Sequence, residues 1–146
     1  MVSWAFLDGL IHRKSQIFAC EAVAIPQALI QLRPLLEGRD VTWYIDNEAA
    51  CSSMIRGSSK PEDVGLLAGI AHLVMMTIKC RIWFEWIDSD SNVSDGLSRD
   101  GLLDKWTLQQ DWVLEELSPL EWPTLHEITS DTLRFLDVGR ADYAPR

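Results

Sequence analysis

The sequence predicts an α/β fold in which helices cover a parallel sheet. Residues 40–46 and 81–87 are rich in β-branched and aromatic side chains, which is the composition of strands. Residues 61–78, between them, carry apolar side chains at helical spacing. Strands that alternate with helices pair in parallel, because a parallel pair needs a long crossover connection. Functional groups collect at the carboxyl ends of such strands, so we expect a site there.

A helix is predicted before the first strand. Residues 16–37 supply apolar faces at helical spacing, and Gly38 is a natural stop. Pro26 and Pro34 lie inside this segment, and an interior proline costs about 3 kcal/mol. We therefore expect either a kink or a helix whose first turns contain Glu21 and Pro26 together.

Three further helices are predicted around the strands. A short helix over 47–56 follows the first strand, with Asp46 or Asn47 as its N-cap. Pro61 opens the long helix that leads to the second strand. After a turn cluster, residues 94–98 form a short helical piece. The two strand ends therefore each lead into a helix start.

The charge is unevenly distributed along the 146 residues. Of the net charge of −9, residues 1–105 contribute 14 acids against 10 Lys and Arg (−4), and residues 106–146 contribute 8 against 3 (−5). A free-standing nucleic-acid binder is usually basic, so this balance argues against strong nucleic-acid binding by the chain alone. The acidic part also contains Trp106, Trp112 and Trp122. We predict one domain over 1–104 and an acidic, Trp-rich C-terminal extension over 105–146.

The cellular setting is predicted from the cysteines and the apolar runs. Cys20, Cys51 and Cys80 are odd in number, widely spaced and without zinc-ligand spacing, so we expect buried thiols. No apolar run reaches the roughly 18 residues of a membrane span, and the N-terminus does not resemble a secretion leader. The expectation is an intracellular protein in a reducing compartment, cytoplasm or nucleus, with no membrane partner.

Three acids interrupt otherwise apolar segments at or near the predicted site: Glu21, Asp46 and Asp95. Carboxylates in apolar surroundings are costly to desolvate unless a cation or donor meets them. Three converging carboxylates would make an all-oxygen site for a hard divalent cation. The structural alternatives are an N-cap for Asp46 or Asp95 and an acid in the first turn of a helix for Glu21.

The spacing of these acids also follows a family pattern. The motifs are I-x-x-x-E-x-x-A, then D-N-x-x-A at a strand end, then N-x-x-x-x-L-S-R with an acid inside it. They lie at Ile17 to Ala24, Asp46 to Ala50, and Asn92 to Arg99. In this order, over about residues 15–100, they resemble the ribonuclease H-like domain of retroelement reverse transcriptases.

The resemblance implies a mixed sheet flanked by helices, with Glu21, Asp46 and Asp95 as catalytic metal ligands for two Mg²⁺ or Mn²⁺ ions. The implied activity is metal-dependent hydrolysis of the RNA strand in an RNA–DNA hybrid, with an upstream polymerase domain as a possible partner. The family has an earlier acid on a first strand, and this chain is expected to lack that strand. Asp8 alone precedes Glu21 and does not match it. The catalytic set is therefore expected to be incomplete, with weak or no activity alone.

Three basic residues are candidates for phosphate contacts: Arg56, Lys60 and Arg99. Two alternatives remain open. One is a non-catalytic, degenerate ribonuclease H-like module that serves interaction or connection, with binding carried by the Trp-rich extension. The other is an integrase- or transposase-type member of the same fold, which would act on DNA.

Overall fold

The structure is a computed structural model that describes residues 8–111. Its elements are α1 (Ile17–Gln31), α2 (Arg33–Leu36), β1 (Asp40–Ile45), α3 (Glu48–Arg56), α4 (Glu62–Thr77), β2 (Arg81–Trp86), α5 (Ser94–Asp100) and α6 (Lys105–Leu108), with 3₁₀ turns at Ser89–Ser91 and Gly101–Leu103. The predicted α/β class is confirmed at this level. The predictions for residues beyond 111, including Trp112 and Trp122, fall outside the described residues.

The two strands pair in parallel, as predicted. Asp40 lies beside Arg81 at one end of the ladder, and Ile45 lies beside Trp86 at the other. Helices α3 and α4 make the crossover between them. Both strands therefore end at the same edge of the sheet, which is where Asp46 follows β1.

The two faces of this sheet have different surroundings. The inner face packs Ile45 and Phe84 into the core, with Trp43 partly buried against it. The outer face leaves Tyr44 and Trp83 exposed to solvent. Alternation along β2 turns Trp83 outward, and 71% of its surface is exposed.

The core lies between helices α1, α3 and α4 and the inner face of the sheet. Leu29, Met54 and Leu67 are its largest fully buried side chains. Burial of each such side chain contributes about 1.5–3 kcal/mol. Small residues such as Ala22 and Ala71, which are completely buried, let α1 and α4 approach closely.

The segment predicted as one helix over 16–37 is divided in two. Leu32 leaves helical geometry after α1, and Pro34 becomes the second residue of α2. At that position a missing backbone N–H breaks no helical hydrogen bond, so the proline is tolerated there. Pro26, by contrast, lies buried inside α1 without ending it.

The chain before α1 is fixed to α4 by a buried acid. Arg13 Nη2 donates to both carboxylate oxygens of Asp63, at 2.6 and 2.7 Å. The backbone N–H of Ile11 donates to the same carboxylate at 3.0 Å. This ion pair gives Arg13 a structural role.

The cysteines and the helices can be compared with the predictions of buried thiols and of no membrane span. Cys51 and Cys80 are buried free thiols, and Cys20 is partly exposed. Burial raises the pKa of all three thiols, which keeps them protonated. Over residues 8–111, no helix combines the length and the apolar character needed to cross a bilayer.

Candidate functional site

Asp46 stands at the junction of β1 and α3, and its side chain is not the cap of that helix. The cap is Asn47, whose Oδ1 accepts a hydrogen bond from the backbone N–H of Ala50 at 3.0 Å. The capping alternative therefore applies to Asn47. The carboxylate of Asp46 is left available for other partners.

Two side chains hold Asp46 in place, one at the end of β2 and one from the turn that follows it. The Nδ2 of Asn92 donates to Asp46 Oδ2 at 2.9 Å, and the indole Nε1 of Trp86 donates to the Asp46 carbonyl oxygen at 3.2 Å. Asn92 is itself oriented, because its Oδ1 accepts from both the backbone N–H and the hydroxyl of Ser94. The chain after β2 therefore folds back over the end of β1.

Glu21 reaches the same place from α1. It shares with Asp46 a cleft of about 160 Å³, which is also lined by Ala24, Ile25, Trp43, Tyr44, Ile45, Asn92 and Ser94. Partial burial raises the pKa of Glu21, and the charges of Asp46 and Asp95 raise it further. Asp46 and Asp95 are therefore each close enough to Glu21 to act on its charge.

Asp95 differs from the other two because its own helix supplies a cation. Arg99, one turn further along α5, lies 3.0 Å from Asp95 Oδ2. Asp95 is not among the residues that line the cleft. Among residues 8–111, no three His, Cys, Asp or Glu side chains form a group that could hold a metal ion. The structure thus brings Glu21 and Asp46 into one cleft and leaves Asp95 beside it.

The predicted phosphate-binding residues do not gather at this cleft. Arg99 pairs with Asp95, as described. Arg56 is the last residue of α3, and its Nε donates to the carbonyl oxygen of Ser52. The nine residues of α3 span roughly 13 Å at 1.5 Å per residue, and Arg56 is at the end far from the strand. Lys60 lies in the loop beyond.

Two residues of the site were not predicted to have this role. Asn92 is the first residue of the third motif, and it was given no role in the site. Half of the surface of Trp86 is exposed, and its indole N–H contacts Asp46. The spacing of Asn92 within the motif was a usable signal. For Trp86 only the register of the strands reveals the contact.

The donor set of the cleft fits a hard divalent cation. It offers two carboxylates, Glu21 and Asp46, and the hydroxyl oxygen of Ser94. Mg²⁺ is commonly bound by one or two carboxylates together with water and substrate phosphates. Burial is the main reason why the pKa of Glu21 is raised, and repulsion by Asp46 and Asp95 adds to it; a cation would relieve that repulsion.

Comparison with known proteins adds no candidate: no family model, curated protein or solved structure matches this chain. The functional argument therefore depends on the residues of the cleft and on the motif resemblance.

Proposed function

We propose that this chain is a retroelement-derived ribonuclease H-like domain that binds Mg²⁺ or Mn²⁺ and hydrolyses the RNA strand of RNA–DNA hybrids. The observation that carries the proposal is the cleft at the end of β1 that Glu21 shares with Asp46, where burial and then the charges of Asp46 and Asp95 raise the pKa of Glu21. These are the three acids of the family pattern, and they come from segments far apart in sequence. Structural acids are usually met by a cation or by donors of the same chain.

The residues of the cleft have distinct roles in this proposal. Glu21 and Asp46 hold the cation, and Asn92 fixes the carboxylate of Asp46 so that its second oxygen stays available. Asp95 is the third acid, and its charge acts on Glu21. A bound divalent cation at such a site polarises the phosphodiester and lowers the pKa of an attacking water.

Hydrolysis by the chain alone is expected to be weak. Only two carboxylates line the cleft, whereas a pair of ions in the family is held by a larger acidic set. The net charge of −9 also opposes the approach of a polyanion. Efficient binding of the hybrid is therefore expected to depend on an adjoining polymerase domain.

The test is hydrolysis of a labelled RNA–DNA hybrid in Mn²⁺ by the chain and by two variants. Asp46→Asn removes a proposed ligand and should abolish cleavage. Asp40→Asn, at the opposite end of the same strand, removes an exposed acid outside the cleft and should leave the rate unchanged. Equal rates for the chain and Asp46→Asn would remove the catalytic claim. Cleavage of duplex DNA instead of the hybrid would favour the integrase-type alternative.

A second candidate is a non-catalytic module of the same ancestry. The observation that favours it is the ion pair of Asp95 with Arg99, which satisfies the third acid within the chain. In this case neither hydrolysis nor stabilisation by Mg²⁺ is expected, and binding to a partner would reside in the Trp-rich extension. Thermal melting with and without Mg²⁺ separates the two candidates, because a ligand that prefers the folded state raises the melting temperature.

A further inference from the structure

Helix α5 carries groups of the site but has little burial to hold it in place. Its first residue, Ser94, lines the cleft. The charge of its second residue, Asp95, acts on Glu21. The structure describes all seven residues of α5, and none of them is buried. Within the described part of the chain, α5 packs mainly on the 3₁₀ turn Gly101–Leu103 and on α6. Its position therefore depends chiefly on the segment that follows it.

This packing includes a close approach of Gly96, in α5, to Asp104, the N-cap of α6. A Cβ added at Gly96 would lie 2.5 Å from Oδ1 and 2.8 Å from Cγ of Asp104. Atoms in favourable contact lie about 3.5–4.0 Å apart, so a methyl group would overlap with the carboxylate. Gly96 lies inside a helix, and its φ is not positive. Space, and not backbone conformation, is therefore what requires glycine at position 96.

The carboxylate of Asp104 is itself held in place. Its Oδ2 accepts a hydrogen bond from the backbone N–H of Thr107 at 2.7 Å, which caps α6. Asp104 is 8% exposed and Thr107 is 2% exposed. A carboxylate that rotated away would leave a buried N–H without its acceptor, which is unfavourable. A side chain at position 96 would therefore displace α5 unless the cap of α6 were given up.

A displacement of α5 would reach the cleft through hydrogen bonds. The backbone N–H and the hydroxyl of Ser94 both donate to Oδ1 of Asn92. Asn92 in turn donates to Oδ2 of Asp46 at 2.9 Å. Asn92 also borders, together with Gly96 and Asp104, a cavity of about 230 Å³. The close approach of Gly96 to Asp104 is therefore adjacent to the residue that orients Asp46.

We propose that Gly96 and Asp104 are positioning residues, whose close contact fixes α5 and with it Ser94 and Asp95 at the cleft. The proposal rests on the proposed function in taking the cleft as a site for a divalent cation. Neither residue is a proposed ligand: Asp104 acts through Gly96, and Gly96 acts by having no side chain. Thr107, in the predicted C-terminal extension, contributes by holding Asp104. The start of that extension therefore takes part in shaping the site.

The contact is tested by a double-mutant cycle on the melting temperature of the whole chain in EDTA. Gly96→Ala alone should lower the melting temperature, because the added methyl group overlaps with Asp104. In an Asp104→Ala background, which removes both overlapping atoms, the same change should raise it, since alanine favours a helix over glycine. Coupling of this kind is expected only between residues in contact.

Gly69→Ala is the matched control for this cycle. Gly69 also lies inside a helix, α4, and the described part of the chain offers no atom within 4 Å of a Cβ added there. Gly69→Ala should therefore raise the melting temperature in both backgrounds. If Gly96→Ala alone does not fold, the double variant with Asp104→Ala should fold.

The position of α5 is measured without metal from side-chain amides in ¹H–¹⁵N NMR spectra. The sequence contains two asparagines, Asn47 and Asn92, so one substitution distinguishes their signals. Gly96→Ala should shift the signals of Asn92, because the amide is held between Ser94 and Asp46. The signals of Asn47, which caps α3, should stay unchanged. A role confined to stability would move neither pair.

Titration with Mn²⁺, below the melting temperature of each variant, measures the consequence for the cleft. Gly96→Ala should weaken Mn²⁺ binding by about 10-fold, which is the size of effect expected when the support of a metal ligand is lost. Gly69→Ala should retain the affinity of the unaltered chain.

The proposal is overturned if Gly96→Ala alone raises the melting temperature as Gly69→Ala does. It is also overturned if Gly96→Ala lowers the melting temperature but leaves the Asn92 signals and the Mn²⁺ affinity unchanged, since Asp104 would then have given way. Failure of the double variant to fold would mean that the overlap is not with Asp104. If the unaltered chain binds no Mn²⁺, the proposed function falls, and the melting and Asn92 results still decide whether the contact positions α5.

Discussion

Asp63 and Asp46 are two acids at similar places in the fold, one in the first turn of α4 and one just before α3. Asp63 is buried and accepts hydrogen bonds from the guanidinium of Arg13 and from a backbone N–H. Asp46 is partly exposed and receives one side-chain hydrogen bond, from the neutral amide of Asn92. In the described part of the chain, neither Asp46 nor Glu21 forms an ion pair with a basic side chain, within 4.0 Å.

This difference separates a structural acid from a candidate ligand. The charge of Asp63 is neutralised by the protein itself, so an added cation would gain little there. Glu21 and Asp46 line the same cleft, and burial, followed by the charges of Asp46 and Asp95, raises the pKa of Glu21. A cation from solution would therefore be favoured in the cleft and not at Asp63.

The largest expected effect is on stability, from Arg13→Ala. This change leaves Asp63 buried without its cation, and breaking a buried pair from one side costs about 3 kcal/mol or more. Urea unfolding of the variant should show this loss. Arg81→Ala is the matched control, because its ion pair with Asp40 is exposed and should cost no more than about 1 kcal/mol. Similar losses for the two variants would show that Asp63 tolerates an unpaired charge.

A smaller effect is expected from metal binding. If Mg²⁺ binds the cleft, a concentration ten times its Kd should stabilise the folded chain by about 1.4 kcal/mol. Differential scanning calorimetry in EDTA and in Mg²⁺ measures this gain. Asp46→Asn should lose the gain, whereas Asp40→Asn at the other end of β1 should retain it. A gain that survives in Asp46→Asn would place the cation elsewhere.

The sequence was sufficient to predict the strands, their parallel pairing and the long helix α4, because these depend on local composition and periodicity. The division of the first helix at Leu32 was not predicted. Whether a proline ends a helix depends on where its missing N–H falls and on what packs around it. Pro26 is accommodated in the core, whereas Pro34 begins a new helix. Spacing alone does not distinguish them.

The part of the site that could be predicted is the part fixed by the position of acids at or near the ends of the strands. Glu21 and Asp46 were expected to meet, and they share the cleft. The roles of Asn47 as cap and Asn92 as the partner of Asp46 depend on side-chain geometry that the sequence does not contain. The pair of Asp95 with Arg99 is different: acid and base four residues apart on a helix were a readable signal.

The smallest expected effect concerns pH and distinguishes Glu21 from an acid whose charge is stabilised. Burial and neighbouring acids raise the pKa of Glu21 above its ordinary value of 4.5, so the folded state binds this proton more tightly than the unfolded state. The protonated carboxyl therefore favours folding, and stability is lost as the pH rises through the folded pKa. Glu21→Gln should raise the melting temperature in EDTA at pH 7 and change it little at pH 4.

The pKa of Asp104 is shifted in the opposite direction from that of Glu21, so the same melting experiment should give the opposite result. Hydrogen bonds from Thr107, including its backbone N–H at 2.7 Å, lower the pKa of Asp104 below its ordinary value of 3.8. Its contribution to stability is therefore present at neutral pH and lost as the pH falls through the folded pKa. Asp104→Asn should lower the melting temperature at pH 7, where Glu21→Gln raises it. If Glu21→Gln has the same effect at pH 4 and pH 7, the pKa of Glu21 is not raised in the folded state, and the cleft loses the electrostatic reason to bind a cation.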